Sequence, residues 1–212
     1  MDVVSEVPPS RWNVTEGGAA SCAFGALRHG GFVHGAELVD NRRFGVSPAE
    51  VAAMDPQQRL LLERGYEALH AARLDRVAVG GSLTGVFVGI AAQEFAAVLA
   101  ASPAGGSAYA ATGSALSIAS GRLSYVLGLH GQCIAYDTAC SAALAACHAG
   151  LRALQLDECA DGLVAGTTLY LSPALGVSFA VAGMTSVRGR SHTFDARADG
   201  YARGEACACS TL

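Results

Sequence analysis

Cys140 is the residue of this chain whose type and setting could carry covalent chemistry. It follows a short apolar run, Cys133 to Tyr136, and the pair Asp137-Thr138, and it precedes a helix-forming Ala/Leu run that continues past His148. That order of residue types predicts strand, sharp turn and helix. A thiol in the first turn of the helix meets unpaired backbone N–H groups and the positive end of the helix dipole, which favour the thiolate, the nucleophilic form. The same pattern suits a buried structural cysteine, since free cysteine is among the most buried residue types. The local sequence leaves both readings open.

A cysteine nucleophile is usually served by a histidine. His148 lies on the same predicted helix, about 12 Å further along its axis at about 1.5 Å per residue, and cannot touch the thiol from there. The other histidines fall in segments whose distance from Cys140 depends on the fold. Thr138 and Ala142 flank Cys140 where a hydrolase nucleophile elbow would have glycines, which disfavours that class. Gly80-Gly81-Ser82-Leu83-Thr84-Gly85 precedes a strand and lacks the lysine of a phosphate-binding loop, so nucleotide binding is not expected. Asp195 with Asp199, and Asp157 with Glu158, are read as turn and surface carboxylates. Cys207-Ala208-Cys209 matches one face of a strand better than a metal clip, which would need further ligands, and no metal is implied.

The elements that must position Cys140 are predicted as follows. Residues 1 to about 47, broken by Pro8-Pro9, Gly17-Gly18 and Gly30-Gly31, are expected to form an irregular arm, with Trp12, His29 and His34 as surface or packing residues. Asp55 is a good N-cap and Pro56 suits the first helical position; the stripe Leu60, Leu61, Leu62, Tyr66, Leu69 then extends a helix to about Ala72. Leu83 to Ile90 has the profile of a buried strand, and Gln93 to Ala101 is helical in composition. A second amphipathic helix runs from Ala115 to about Leu127. The Cys140 helix ends near Leu154, Asp161 to Thr167 is a further strand, and Leu171 to Met184 has a helical tendency. The last residues alternate like a strand. Strands alternating with helices predict an α/β layer fold with a mainly parallel sheet.

Composition sets the remaining bounds. The chain has 212 residues, of which 51% are hydrophobic and only 15% charged, so much of its surface expects a cover. One domain is the simpler reading of that length. A net charge of -4 with no basic cluster sets nucleic acid aside. Seven cysteines without paired spacing fit a reducing compartment. There is no apolar run long enough to span a membrane and no signal-peptide pattern, so a cytoplasmic protein without membrane contact is expected.

Seven segments together resemble a known family. They are Phe44-Gly-Val-Ser-Pro48, Met54-Asp-Pro-Gln-Gln-Arg-Leu-Leu-Leu-Glu63, Gly85-Val-Phe-Val-Gly89, Ala111-Thr-Gly113, Gly121-Arg-Leu-Ser-Tyr125, Asp137-Thr-Ala-Cys-Ser141, and the run from Phe194 through Asp199-Gly-Tyr201 to Arg203-Gly-Glu205. In order and spacing they resemble β-ketoacyl synthase domains of type I polyketide synthases and fatty acid synthases. The resemblance implies an α/β, thiolase-like layered fold of two similar halves, usually dimeric. On that basis residues 1–212 are expected to be a partial β-ketoacyl synthase domain that holds mostly the N-terminal half and lacks the first strand. It also implies an acyltransferase chemistry, decarboxylative Claisen condensation of an acyl thioester with a malonyl-type extender. Cys140 would be the acyl-accepting catalytic nucleophile, and Asp137 and Thr138 support for its turn. Substrates would arrive on the phosphopantetheine of an acyl carrier protein, with no cofactor bound directly. The family's two catalytic histidines, one in a His-Gly-Thr-Gly-Thr motif, are not in this sequence. Ser141-Ala142 stands where the family usually has two serines, Ala206 and Ala208 replace glycines, and Thr185-Ser-Val-Arg188 replaces a Ser-Pro-Asp turn. A non-catalytic ketosynthase-like module is the alternative, and an exposed apolar patch with poor solubility is expected for the chain alone.

Overall fold

Strand Gly85–Ile90 is apolar or glycine at every position, and in the computed structural model all of it is buried. The model describes residues 3–12, 25, 27–91 and 93–212. In chain order the described elements are β1 (Val4–Glu6), β2 (His29–Gly31), α1 (Asn41–Phe44), α2 (Pro48–Ala53), α3 (Pro56–Ala71), α4 (Arg76–Val79), β3 (Gly85–Ile90), α5 (Phe95–Ala100), α6 (Ala110–Ser114), α7 (Leu116–Leu127), β4 (Cys133–Tyr136), α8 (Ala142–Gln155), β5 (Gly162–Thr168), α9 (Ala174–Val181) and β6 (Ala206–Thr211), with 3-10 turns at Pro103–Gly106 and Ala139–Ser141.

The chain divides into two compact units, Gly35–Thr168 with Cys207–Leu212, and Met1–His34 with Leu169–Ala206. The larger unit holds a four-stranded sheet in the order β4-β3-β5-β6. β3 runs parallel to both β4 and β5, with Val88 opposite Ala135 and Ala165. Gly162 and Leu212 exchange N–H to carbonyl bonds at 3.2 and 2.8 Å, the reciprocal pair of an antiparallel ladder, so β6 runs against the other three. Successive side chains of a strand point to opposite faces, and the core divides accordingly. Val86, Val88 and Ile90 of β3 and Leu163 and Ala165 of β5 join Leu61, Leu62 and Leu69 of α3 and Leu123 and Leu127 of α7. Phe87 and Val164 point the other way, to Ala146 and Ala153 of α8.

α3 begins as its sequence predicts: Asp55 Oδ1 accepts the Gln57 N–H at 2.8 Å and Pro56 opens the helix. The cap is buried, and desolvation pushes the Asp55 carboxyl up to about 6 against the lowering effects of Gln57 and Arg59. Buried Arg122 on α7 donates to Gln58 Oε1 at 2.8 Å and pairs with Glu50, tying α7 to α3 and α2.

The smaller unit departs from the expected irregular arm. β1 and β2 pair antiparallel, with Ser5 opposite Gly30, and Gly31 makes an isolated parallel bridge to Gly204. The Glu205 carboxylate, its side chain shut off from solvent, accepts from Arg11 at 3.0 Å, from the Val33 N–H at 2.8 Å and from the Tyr170 N–H at 2.9 Å, so it joins segments up to 194 positions from it in the chain.

Candidate active site at Cys140

The first turn of α8 lies over the sheet because two strands present no side chain there. A Cβ on Gly89 of β3 would sit 2.4 Å from the Ala142 carbonyl carbon and the Ala143 nitrogen, and one on Gly166 of β5 would sit 2.7 Å from Ala143 Cβ. Glycine at both positions lets the helix start descend onto the C-terminal ends of the parallel strands, where α/β sheets form their crevices. β4 delivers the chain to that place, and Asp137 to Ser141 turn it into the helix.

The turn starts at Asp137-Thr138, as the sequence suggests, and runs on through Ser141. Asp137 Oδ1 accepts the Ala139 N–H at 3.2 Å, and Ala139 itself adopts φ +53°, the left-handed region that costs a residue with a Cβ about 1 kcal/mol or more. The 3-10 turn closes through the Ser141 N–H to Thr138 O at 3.3 Å and the Ala142 N–H to Ala139 O, and neither bond uses the Cys140 N–H. Ser141 Oγ donates backward to Thr138, at 2.8 Å to the carbonyl and 2.9 Å to the hydroxyl. It therefore caps none of the first N–H groups of α8. Cys140 stands in this turn, just before α8 rather than in its first helical turn, and its thiol is exposed. An uncapped helix start with an exposed thiol beside it is suited to stabilise negative charge at the sulfur or at an atom bound to it.

The other residues weighed from sequence fall into structural roles. His148 is exposed on α8, and among the described residues no side chain hydrogen-bonds the Cys140 sulfur. Asp195 is gripped by Arg197 at 3.0 and 2.8 Å, which holds its carboxyl down to about 2. Asp199 accepts from Ser186 at 2.7 Å and Arg188 at 3.1 Å, which hold it below the usual carboxylate range. Glu158 accepts from Gln132 at 2.9 Å. Cys207 and Cys209 share a face of β6 and pack on the core cluster of α3 and α7, and no group of three or more potential metal ligands occurs among the described residues. No described helix is long and apolar enough to cross a membrane. The positive φ of Ala139 and the seat at Gly89 and Gly166 were missed by sequence reasoning; the strand-internal glycines were the one available signal, since such positions often mark a close backbone approach.

Against this geometry the sequence model of "Beta-ketoacyl synthase, N-terminal domain" matches residues 1–212. The chain belongs to that family. Its relatives include the spectinabilin polyketide synthase system protein NorC of Streptomyces orinoci, 43% identical over 96% of this chain and 9% of NorC. Another is the polyketide synthase GfsB of Streptomyces halstedii, 47% identical over 84% of this chain and 3% of GfsB. Among solved structures, the ketosynthase from module 6 of the bacillaene synthase of Bacillus subtilis superposes with a TM-score of 0.84 at 31% identity, covering 98% of this chain and 33% of that one. The oxazolomycin ketosynthase domain of Streptomyces albus gives 0.85 at 28% identity, covering 98% of this chain and 36% of that one. The ketosynthase-family chain thus has their mixed α/β, thiolase-like fold, and it spans about a third of the solved ketosynthases and a small part of the synthases.

Proposed function

We propose that this chain carries the acyl-accepting centre of a β-ketoacyl synthase of polyketide or fatty acid biosynthesis, with Cys140 as the nucleophile. The observation that carries the reading is the exposed Cys140 thiol in a strained turn, at an uncapped helix start seated on the strand ends. The Cys140 thiolate attacks the carbonyl carbon of an acyl thioester on the phosphopantetheine of an acyl carrier protein. The oxygen takes negative charge in the tetrahedral intermediate, where the Cys140 N–H, outside the bonds of the 3-10 turn, donates to it. Collapse breaks the carbon–sulfur bond to the carrier, releases its thiolate to take up a proton, and leaves the acyl group on Cys140 Sγ. In the full reaction a malonyl-type extender then loses carbon dioxide, and its enolate carbon attacks the Cys140 thioester and frees the thiol again. The histidines that serve this step in the family are not among these 212 residues, and the Cys140 centre accounts for the acylation step. The same reading takes the working domain as a homodimer in the cytoplasm.

Incubation with an acyl thioester of N-acetylcysteamine, followed by peptide mass spectrometry, tests the assignment. The expected result is an acyl adduct on the Cys140 peptide that Cys140→Ala abolishes. Acylation spread evenly over the exposed cysteines, or none at Cys140 in the folded chain, would overturn it.

A further inference from the structure

Arg203 belongs to the smaller unit, and the acylation proposed at Cys140 does not use it. Its guanidinium carbon lies 3.6 Å from the Tyr170 ring centroid and 4.9 Å from that of Phe179. Its charge has no carboxylate partner among the described residues, because the described acids of the unit are committed elsewhere: Glu6 to Arg28, Asp195 to Arg197 and Asp199 to Arg188. The Glu205 side chain, two positions away, is fully covered and occupied by Arg11 and the N–H groups of Val33 and Tyr170.

Arg203 lines a cleft of about 320 Å³, counting its open mouth, together with Trp12, His29, Phe32 and Tyr170. Trp12 Nε1 and His29 Nδ1 are both shut off from solvent and have no hydrogen-bond partner among the described residues. An indole N–H can only donate, and an imidazole Nδ1 donates in one of its two neutral forms. Leaving such groups buried and unmatched is costly, because each has given up its water without gaining a partner. A cation without a carboxylate partner and the two residues that carry these unmatched nitrogens therefore line one recess with aromatic walls. The ligand that answers all three is an anion with several acceptor oxygens, and a planar guanidinium fork suits carboxylate and phosphate geometry.

We propose that this cleft binds a small oxyanion, a carboxylate or phosphate group, with Arg203 as its charge partner and Trp12 and His29 as flanking donors. Trp12 is the single tryptophan of the chain, so its fluorescence reports on the cleft directly. The wild-type chain is titrated with inorganic phosphate and, separately, with acetate, sodium chloride holding the ionic strength constant. A saturable change in Trp12 emission is expected with at least one of them. Saturation by phosphate alone identifies a phosphate group as the ligand chemistry, and by acetate alone a carboxylate. Arg203→Gln keeps a planar polar group on Tyr170 and should weaken the response about tenfold or more while circular dichroism and Tm hold. A linear or absent response in the wild type overturns the proposal, as does an undiminished response in folded R203Q. Should R203Q not fold, the wild-type titrations decide alone.

Discussion

Cys140 and Cys133 are both exposed, so accessibility alone gives them equal reactivity toward an alkylating agent. Their settings differ, since Cys133 opens an edge strand and Cys140 stands at the start of α8. A helix N-terminus favours an adjacent anion by up to about 1–2 kcal/mol, which predicts roughly tenfold faster labelling of Cys140 by iodoacetamide. Peptide-resolved labelling rates test this, and equal rates would remove the helix terminus as the source of reactivity. Ala139 supports a second expectation. Glycine tolerates its positive φ without a Cβ clash, so Ala139→Gly should stabilise the chain by up to about 1 kcal/mol, and Ala139→Val should destabilise it. Thermal melts of the two variants would show opposite shifts. Alanine carries no mark of left-handed backbone, which is why the sequence shows the turn at Asp137-Thr138 but not the positive φ inside it.

Asp55 makes a pH prediction at the same scale. Its folded value of about 6 exceeds the ordinary 3.8, so the unfolded chain gives up this proton first as pH rises. The stability it contributes is complete below about pH 4 and lost as pH climbs through 6, by an amount of up to about 3 kcal/mol. Asp55→Asn keeps an oxygen at the N-cap and has no proton to lose. The Tm of D55N should therefore gain on that of the wild type between pH 4 and 7, and parallel Tm curves would refute the burial argument.

At the scale of elements, the site depends on how closely α8 approaches β3 and β5. Gly89→Ala would drive a methyl into the backbone of Ala142 and Ala143, and overpacking of this kind costs about 1–3 kcal/mol or more. A lower Tm together with slowed Cys140 labelling is the expected pair of results; unchanged labelling would mean that the seat does not set the turn. The elements around the site were legible to within about two residues, because α3, α7, β3, β4 and β5 carry long or apolar patterns bounded by caps and glycines. β1 and β2 were not. Each is three residues long, β2 is His29-Gly30-Gly31, and they hold their shape by pairing with each other across an intervening stretch of chain. No local window contains that information. β6 was legible as a strand, but its direction follows from the Gly162–Leu212 pairing, which alternation alone does not encode.

At the scale of the molecule, the low charge content anticipated exposed apolar surface, and α8 supplies it. Leu144 is 73% exposed and Leu151, two turns on, 46%, on the side of the helix away from Ala146 and Ala153 in the core. Their joint replacement, Leu144→Lys with Leu151→Lys, should shift the chain toward smaller species in size-exclusion chromatography, with the thermal midpoint nearly unchanged. A profile that stays the same would place the association elsewhere. The chain divides into two compact units, a division that no composition boundary announces.

Neither unit is continuous in the chain. The smaller takes its first part from Met1–His34 and its second from Leu169–Ala206, and the larger is finished only by Cys207–Leu212. During synthesis Arg11 must wait for 194 further residues to emerge, since the carboxylate that it needs lies at position 205. Contacts of such separation make folding slow and leave apolar surface uncovered meanwhile. The vulnerable period therefore lasts at least until residue 206 has left the ribosome, and slowing the translation of residues 35–168 would lengthen it.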